Sequence, residues 1–197
     1  MQIIVGISGA TGSIYGIRLL EVLKQMKVET HLIISSAAKQ IIPGETRYTV
    51  AQVEEMASFV HDNDNLAAPI SSGSFKTDGM IVAPCSIKSL SGIAHSYNDN
   101  LLTRAADVTL KERRRLVLTV RETPLHQGHL DLMLKATNIG AIIYPPVPAF
   151  YSNPVSINDL VNHTVGKLLD LFSIDAKLFR RWGGTPPYVS QESNDFV

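Results

Sequence analysis

Three short stretches of this sequence place glycines and hydroxyls where a chain can close on an anion. The first holds Gly6, Gly9 and Gly12, spaced by three, with hydroxyls at Ser8, Thr11 and Ser13. Glycine lets backbone approach a ligand closely, and a helix begun near Ser13 would present free N–H groups at the positive end of its dipole. The stretch is neither G-x-G-x-x-G nor a P-loop, since no Gly-Lys-Ser/Thr follows. It reads as a cradle for a phosphate or cofactor, or as a tight turn that holds nothing. The second is Ile34-Ser35-Ser36-Ala37. A dinucleotide fold places Asp or Glu there to hold a ribose 2′-hydroxyl. Two hydroxyls suit a phosphate or polyol and favour a mononucleotide such as FMN over NAD, with a simple helix N-cap as the alternative. The third is Pro84-Cys85-Ser86-Ile87-Lys88-Ser89, where a helix begun at Ser86 would bind an anion well.

Further along, Arg121-Glu122-Thr123-Pro124-Leu125 follows an apolar run. An arginine there can clamp a phosphate through two parallel bonds, and a glutamate beside it can serve as acid or base; a structural ion pair is the plainer reading. Lys111-Glu112-Arg113-Arg114-Arg115 reads as favourable charge at a helix C-terminus. Cys85 has no histidine near it in sequence and fits a small buried thiol better than a nucleophile. The six histidines are scattered, and only His126 and His129 have helical spacing, so no metal is expected.

These stretches lie at the ends of short apolar runs, and the runs alternate with longer helical periods. That alternation predicts an α/β three-layer sandwich with a mostly parallel sheet, Rossmann- or flavodoxin-like. Predicted strands are Ile3–Ile7, Thr30–Ile34, Gly79–Ala83 (stopped by Pro84), Arg115–Val120 and Gly140–Tyr144. Predicted helices carry Ile14, Ile17, Leu20 and Leu23, then Val50–Val60, Ser86–Ala94, Asn98–Lys111, Leu130–Ala136 and the stretch from Ile157 to Phe172. Residues 1–177 read as one domain and 178–197 as an arm whose tryptophan, Trp182, needs a place to bury its ring.

Composition narrows the classes. Eighteen basic and eighteen acidic residues in 197 leave no net charge, which weighs against nucleic acid and anionic membrane as partners. The 18% charged fraction is below the roughly 25% usual in soluble domains, so much of the chain is expected to be buried, in its own core or in an oligomer. One cysteine excludes an internal disulfide and fits a reducing compartment. Neither a signal peptide nor a spanning segment is expected, and a cytoplasmic location follows.

In this order the motifs resemble the flavin prenyltransferase family, also known as phenylacrylic or 3-octaprenyl-4-hydroxybenzoate decarboxylases. The carrying segments are Ser8-Gly9-Ala10-Thr11-Gly12, Pro84 through Leu90, Asn100 through Val108, Leu110 through Arg114, Arg121 through Leu125, and Pro148-Ala149-Phe150-Tyr151. The resemblance spans Ile3 to about Trp182. It implies a dodecamer with FMN at subunit junctions and transfer of a dimethylallyl group from dimethylallyl monophosphate to reduced FMN. The new ring would join flavin N5 and C6, and prenylated FMN would serve a separate decarboxylase of the UbiD type. It implies FMN contacts from Gly9, Ala10, Thr11 and Ser35, from Ser86, Ile87, Lys88 and Ser89, and from Arg121. It implies prenyl phosphate contacts from Tyr151 and Lys167, with Trp182 covering the prenyl site. Lys111, Glu122 and Glu45 would be charged groups around the reacting centre, Glu122 moving a proton and Lys111 meeting phosphate charge. The charged residues Lys111, Arg121, Glu122, Glu45 and Lys167 are therefore expected to converge.

Two other readings compete. One is direct decarboxylation of an aromatic (phenylacrylic) acid with FMN. The other is an FMN-binding protein without catalysis, which would have no need of Arg121-Glu122, Tyr151 or Lys167. Flavin-dependent cysteine decarboxylases are similar, but they carry a histidine soon after the first strand and a Pro-x-Met-Asn segment. Here no histidine lies between Gly6 and Thr30, and the Pro84 segment reads Cys-Ser-Ile-Lys.

Overall fold

A computed structural model of the chain describes residues 1–183. Its strands are β1 (Gln2–Ile7), β2 (Glu29–Ile34), β3 (Phe59–His61), β4 (Gly79–Cys85), β5 (Arg115–Val120) and β6 (Ile142–Ile143). Its helices are α1 (Ser13–Gln25), α2 (Ser36–Glu45), α3 (Val50–Glu54), α4 (Ile87–Ala94), α5 (Leu101–Lys111), α6 (Gln127–Asn138) and α7 (Ile157–Asp170). The strands form one sheet in the order β3-β2-β1-β4-β5-β6, every pair parallel. This is the doubly wound order, and its direction reverses between β1 and β4.

Strand side chains alternate between two apolar layers, as period two requires. Ile3, Val5, Ile7, Leu32, Ile34, Ile81 and Val117 face α1, α2, α3 and α7, meeting Ile17, Leu20, Leu23, Val165 and Leu168. Ile4, Ile33, Met80, Val82, Leu116 and Leu118 face α4, α5 and α6, meeting Leu90, Ile93, Leu101, Leu102 and Ala105. Both faces of the central strands are covered, which is why they read as unbroken apolar runs. Gly16 lets α1 lie against the sheet: a Cβ there would come within 2.8 Å of Ile7 Cγ1.

Several predicted boundaries change. The expected helix Val50–Val60 stops at Glu54. Phe59–His61 instead pairs with His31–Ile33 as an edge strand. Ser36–Glu45, unassigned from sequence, is a helix capped by Ser35. Pro84 does not end its strand: β4 runs on to Cys85 through a register shift after Val82, a bulge being where a sheet tolerates proline. The helix expected from Asn98 begins at Leu101, because Asn100 is its cap. Of the arm, only its first residues fall within the described part, and they fold back: Phe179 packs against Gly166 and His163. Among the described residues no helix is long and apolar enough to cross a membrane.

Candidate active site

Loops leaving five strands meet at the carboxyl edge of the sheet, around the reversal between β1 and β4, where open α/β sheets bind ligands. They enclose a cavity of about 620 Å³. Gly9–Thr11 after β1, Ser35–Ala37 after β2, Asn63 and Asp64 after β3, Ser86–Ser89 after β4, and Arg121 and Glu122 after β5 line it. All nine residues expected at the flavin, with Glu122, are thus at one cavity.

Four helix N-termini lie beside this cavity, and they differ in what they have left to offer. At α1 the Gly12 and Ser13 amides donate to Glu45 Oε2 at 2.8 and 3.2 Å. At α5 the Leu101 amide donates to the Asn63 carbonyl at 2.7 Å, and the Leu102 amide to Asn63 Oδ1 at 3.2 Å. These amides at both ends are taken up within the chain. At α2 the Ser35 hydroxyl and carbonyl take the Ala38 and Lys39 amides, so Ser36 and Ala37 keep theirs. At α4 the Ser86 hydroxyl and carbonyl take the Ser89 and Leu90 amides, so Ile87 and Lys88 keep theirs. A helix leaves its first N–H groups to external partners. The open amides beside the cavity are thus those of α2 and α4, whereas at α1, the stretch read from sequence as a phosphate cradle, Glu45 already takes the Gly12 and Ser13 amides. The Ser8 hydroxyl is also committed: it donates to the Pro84 carbonyl at 3.0 Å and accepts the Ser86 amide at 2.8 Å, tying the first loop to the third.

Arg121 completes the positive pole. Its amide donates to the Cys85 carbonyl at 3.0 Å, while its guanidinium makes no hydrogen bond or ion pair among the described residues. Lys88 pairs with Asp99 at 2.9 Å. Among the described residues Glu122 accepts only the neighbouring Thr123 amide, at 3.1 Å. Gly9 is required by packing, since a Cβ there would lie 2.5 Å from the Ala37 Cβ and push the first loop off α2. Cys85 is fully buried, and burial pushes its thiol up to about 12, so it stays protonated and inert.

A second cluster sits on α7 and the arm. Tyr151 Oη lies 2.8 Å from His163 Nε2, and its ring meets Trp182 edge-on at 5.7 Å. Lys167 lies one helical turn beyond His163 and reaches Asp170 at 3.6 Å. Arg181 holds the same carboxylate with two bonds, of 2.8 and 2.7 Å. Two partly buried tyrosines feel charges from this cluster or from the cavity. Burial raises the Tyr15 hydroxyl against the opposing charge of Arg121. Burial raises Tyr144 as well, helped by the charges of Tyr151, Asp170 and Tyr15. Tyr15, Tyr144 and His163 were missed from sequence; only their burial and through-space neighbours mark them.

Two expected residues are elsewhere. Glu45 lies behind the first loop, capping α1 and lining a separate cavity of about 610 Å³ with Arg18, Glu21 and Tyr48. Burial would raise its carboxyl, but hydrogen bonds from Thr11, Gly12 and Ser13 outweigh this and hold it below its usual value. Lys111 is at the far end of α5, paired with Glu112 beside Gly73. Ten helical rises separate it from Leu101 at the cavity end, about 15 Å at 1.5 Å per residue. The expected convergence of five charges therefore fails within one chain: Arg121 and Glu122 share the cavity, and Lys167 stands in the second cluster. Among the described residues no three His, Cys, Asp or Glu side chains are grouped to hold a metal.

The arrangement fits a flat, phosphorylated ligand such as FMN. Open amides at two helix N-termini and the Arg121 guanidinium suit a phosphate. Ser35 stands where a dinucleotide site would need a carboxylate, and Gly9, Ile87 and Leu102 offer backbone and apolar surface to a ring. The volume is that of a small-molecule site.

Comparison with known proteins agrees with this geometry. The family model described as Flavoprotein matches residues 1–169. The flavin prenyltransferase UbiX of Escherichia coli strain K12 is 59% identical over 186 residues, spanning 93% of this chain and 98% of that protein. A crystal structure of AnUbiX (PadA1) in complex with FMN and dimethylallyl pyrophosphate superposes with a TM-score of 0.93 at 51% identity, over 94% of this chain and 98% of that one. A dodecameric FMN-dependent Ubix-like decarboxylase from Escherichia coli O157:H7 superposes with a TM-score of 0.92 at 50% identity, over 93% and 100%.

Proposed function

This chain belongs to the flavoprotein family, with the flavin prenyltransferases, and we propose that its cavity holds FMN as the acceptor of a prenyl group. The donor is dimethylallyl monophosphate, and the product is prenylated FMN for a separate decarboxylase of the UbiD type. The observation that carries this reading is the juxtaposition at one edge of two helix N-termini with amides left open, the Arg121 guanidinium and the Glu122 carboxyl group, neither side chain ion-paired among the described residues.

When bound and reduced, the flavin supplies the two nucleophilic atoms, N5 and C6, and the π face beside which the prenyl carbon gains positive charge. The rest of the work falls to the chain. Ser36, Ala37, Ile87 and Lys88 amides and the Arg121 guanidinium hold the flavin phosphate. Tyr151 and Lys167 hold the donor phosphate, and Asp170, already neutralised by Arg181, can release Lys167 to it. As the C–O bond to phosphate breaks, a protonated Glu122 would give the departing oxygen its proton, and the carboxylate so formed would take up the proton that the flavin gives up. Cations and a proton donor at the leaving oxygens lower the barrier where charge develops. Trp182, 58% exposed and edge-on to Tyr151, would close over the prenyl chain.

Lys111 reaches a reaction centre only from a neighbouring subunit, so its assigned role rests on a dodecamer with sites at subunit junctions. The exposed apolar side chains Leu130, Leu134, Phe150, Val155 and Ile157 offer surface for such contacts. A cytoplasmic location suits the reduced, buried Cys85.

The test is anaerobic incubation with reduced FMN and either dimethylallyl monophosphate or the pyrophosphate, following release of inorganic phosphate or pyrophosphate. The reading expects release from the monophosphate, and about a ten- to hundredfold slower release by Glu122→Gln with FMN still bound. Release from neither donor, with carbon dioxide formed from a phenylacrylic acid by this protein alone, would favour direct decarboxylation.

A further inference from the structure

We propose that His163 is the positioning residue for Tyr151, donating its Nε2 proton to the tyrosine oxygen so that the tyrosine's own proton points at the donor phosphate. The inference rests on the prenyl phosphate reading of Tyr151 and Lys167 and adds a residue to it.

His163 lies in the middle of α7 and is 7% exposed. Its Nε2 is 2.8 Å from Tyr151 Oη, and the two rings meet edge-on at 5.4 Å. Phe179 of the arm packs against the imidazole at 4.7 Å. The ring is therefore packed on one side and has, among the described residues, one polar partner on the other. Burial, and then the charge of Lys167, lower its pKa, so it is neutral at pH 7 and carries a single N–H. Lys167, at i+4, shares its helix face. Asp170 and Arg181 form the next layer of charge beyond Lys167.

Hydrogen-bond bookkeeping then assigns the proton. Phosphate oxygens near neutral pH act chiefly as acceptors. A tyrosine hydroxyl has one proton and can accept as well as donate. If Tyr151 donates to phosphate, its bond to His163 requires the imidazole to be the donor. His163 in the opposite tautomer would draw the hydroxyl proton away from the ligand. With Nε2–H fixed, Tyr151 and Lys167 present two donors to one phosphate, and the orientation of the hydroxyl does not have to be found at each binding event.

The experiment compares His163→Phe, which keeps the ring packing on Phe179 and loses the donor, with His163→Gln, whose amide reaches the Nε2 position. Equilibrium binding of dimethylallyl monophosphate to protein loaded with oxidised FMN is measured alongside KM and kcat for transfer. The Phe variant is expected to bind the donor about five- to tenfold more weakly, with KM rising more than kcat falls and FMN affinity unchanged. The Gln variant should recover most of the loss. In a Tyr151→Phe background, His163→Phe should add nothing, because the partner through which it acts is gone. Donor binding by the Phe variant within twofold of wild type would overturn the assignment, as would equal, additive losses in the two backgrounds. Wild-type protein that fails to bind dimethylallyl monophosphate would overturn the donor reading itself, and the role of His163 with it.

Discussion

Replacing Glu45 with glutamine separates two places where the flavin phosphate could sit. In the folded chain the Glu45 carboxylate accepts the Gly12 and Ser13 amides at the start of α1. Loss of a capping group costs about 0.5–2 kcal/mol. Glu45 is exposed and solvent screens its charge, so a cost near 1 kcal/mol is expected, or roughly 2–4 °C in Tm for a chain of this size. The carboxyl is held below its ordinary value of 4.5, so its contribution is full above that value and is lost as the pH falls through the lower folded one. Wild type and Glu45→Gln should therefore differ in Tm at pH 7 and converge in acid. The decisive readout is FMN affinity, measured by quenching of flavin fluorescence. A phosphate about 5 Å from a carboxylate would be repelled by ~3 kcal/mol at an effective dielectric constant near 20. If the phosphate sat at α1, removing that charge would tighten FMN binding roughly a hundredfold. If it sits at α2 and α4, intervening solvent and chain screen the carboxylate and the affinity should move by less than about threefold. A large gain in affinity would refute the assignment of the phosphate to α2 and α4.

Three further outcomes follow from the same contacts. Arg121→Lys keeps the charge but loses the planar fork, so FMN affinity should fall about 10- to 100-fold with unchanged circular dichroism; a change under twofold would remove the guanidinium from the flavin site. Gly9→Ala sets a methyl 2.5 Å from the Ala37 Cβ and should lower stability by about 1–3 kcal/mol, and Ala37→Gly in the same chain should restore the Tm. Cys85, buried with its thiol raised to about 12, should resist iodoacetamide at pH 8 in the native protein and label readily in urea; rapid native labelling would contradict its burial.

The sheet and the cofactor loops were legible in the sequence because both are local. Ile3–Ile7 and Gly79–Val82 are apolar on both faces, and the residues that follow them carry the glycines and hydroxyls that line the cavity. The missed elements had weak local signals. Helix α2 buries only Ala38 and Ile42 and contains Pro43, so it shows no apolar stripe. Strand β3 is three residues long with Phe59 and Val60 half exposed, and its partner β2 defines it. The site followed the same rule. Which residues line the cavity could be read from motifs, but which helix ends remain open could not. Glu45 and Asn63 reach α1 and α5 from 33 and 39 residues away in sequence, and only the folded chain shows those ends already filled. Within one chain Lys111 does not meet Arg121, since a helix running back along the sheet carries its last residue to the opposite edge.

The central claim is that this chain joins a five-carbon unit to reduced flavin. It is tested most directly by incubating the protein anaerobically with reduced FMN and dimethylallyl monophosphate, extracting the flavin and measuring its mass. The account predicts a flavin heavier by one C5H8 unit, formed with release of phosphate and dependent on Glu122. Flavin recovered at its original mass, from protein that has bound both FMN and the prenyl phosphate, would contradict it.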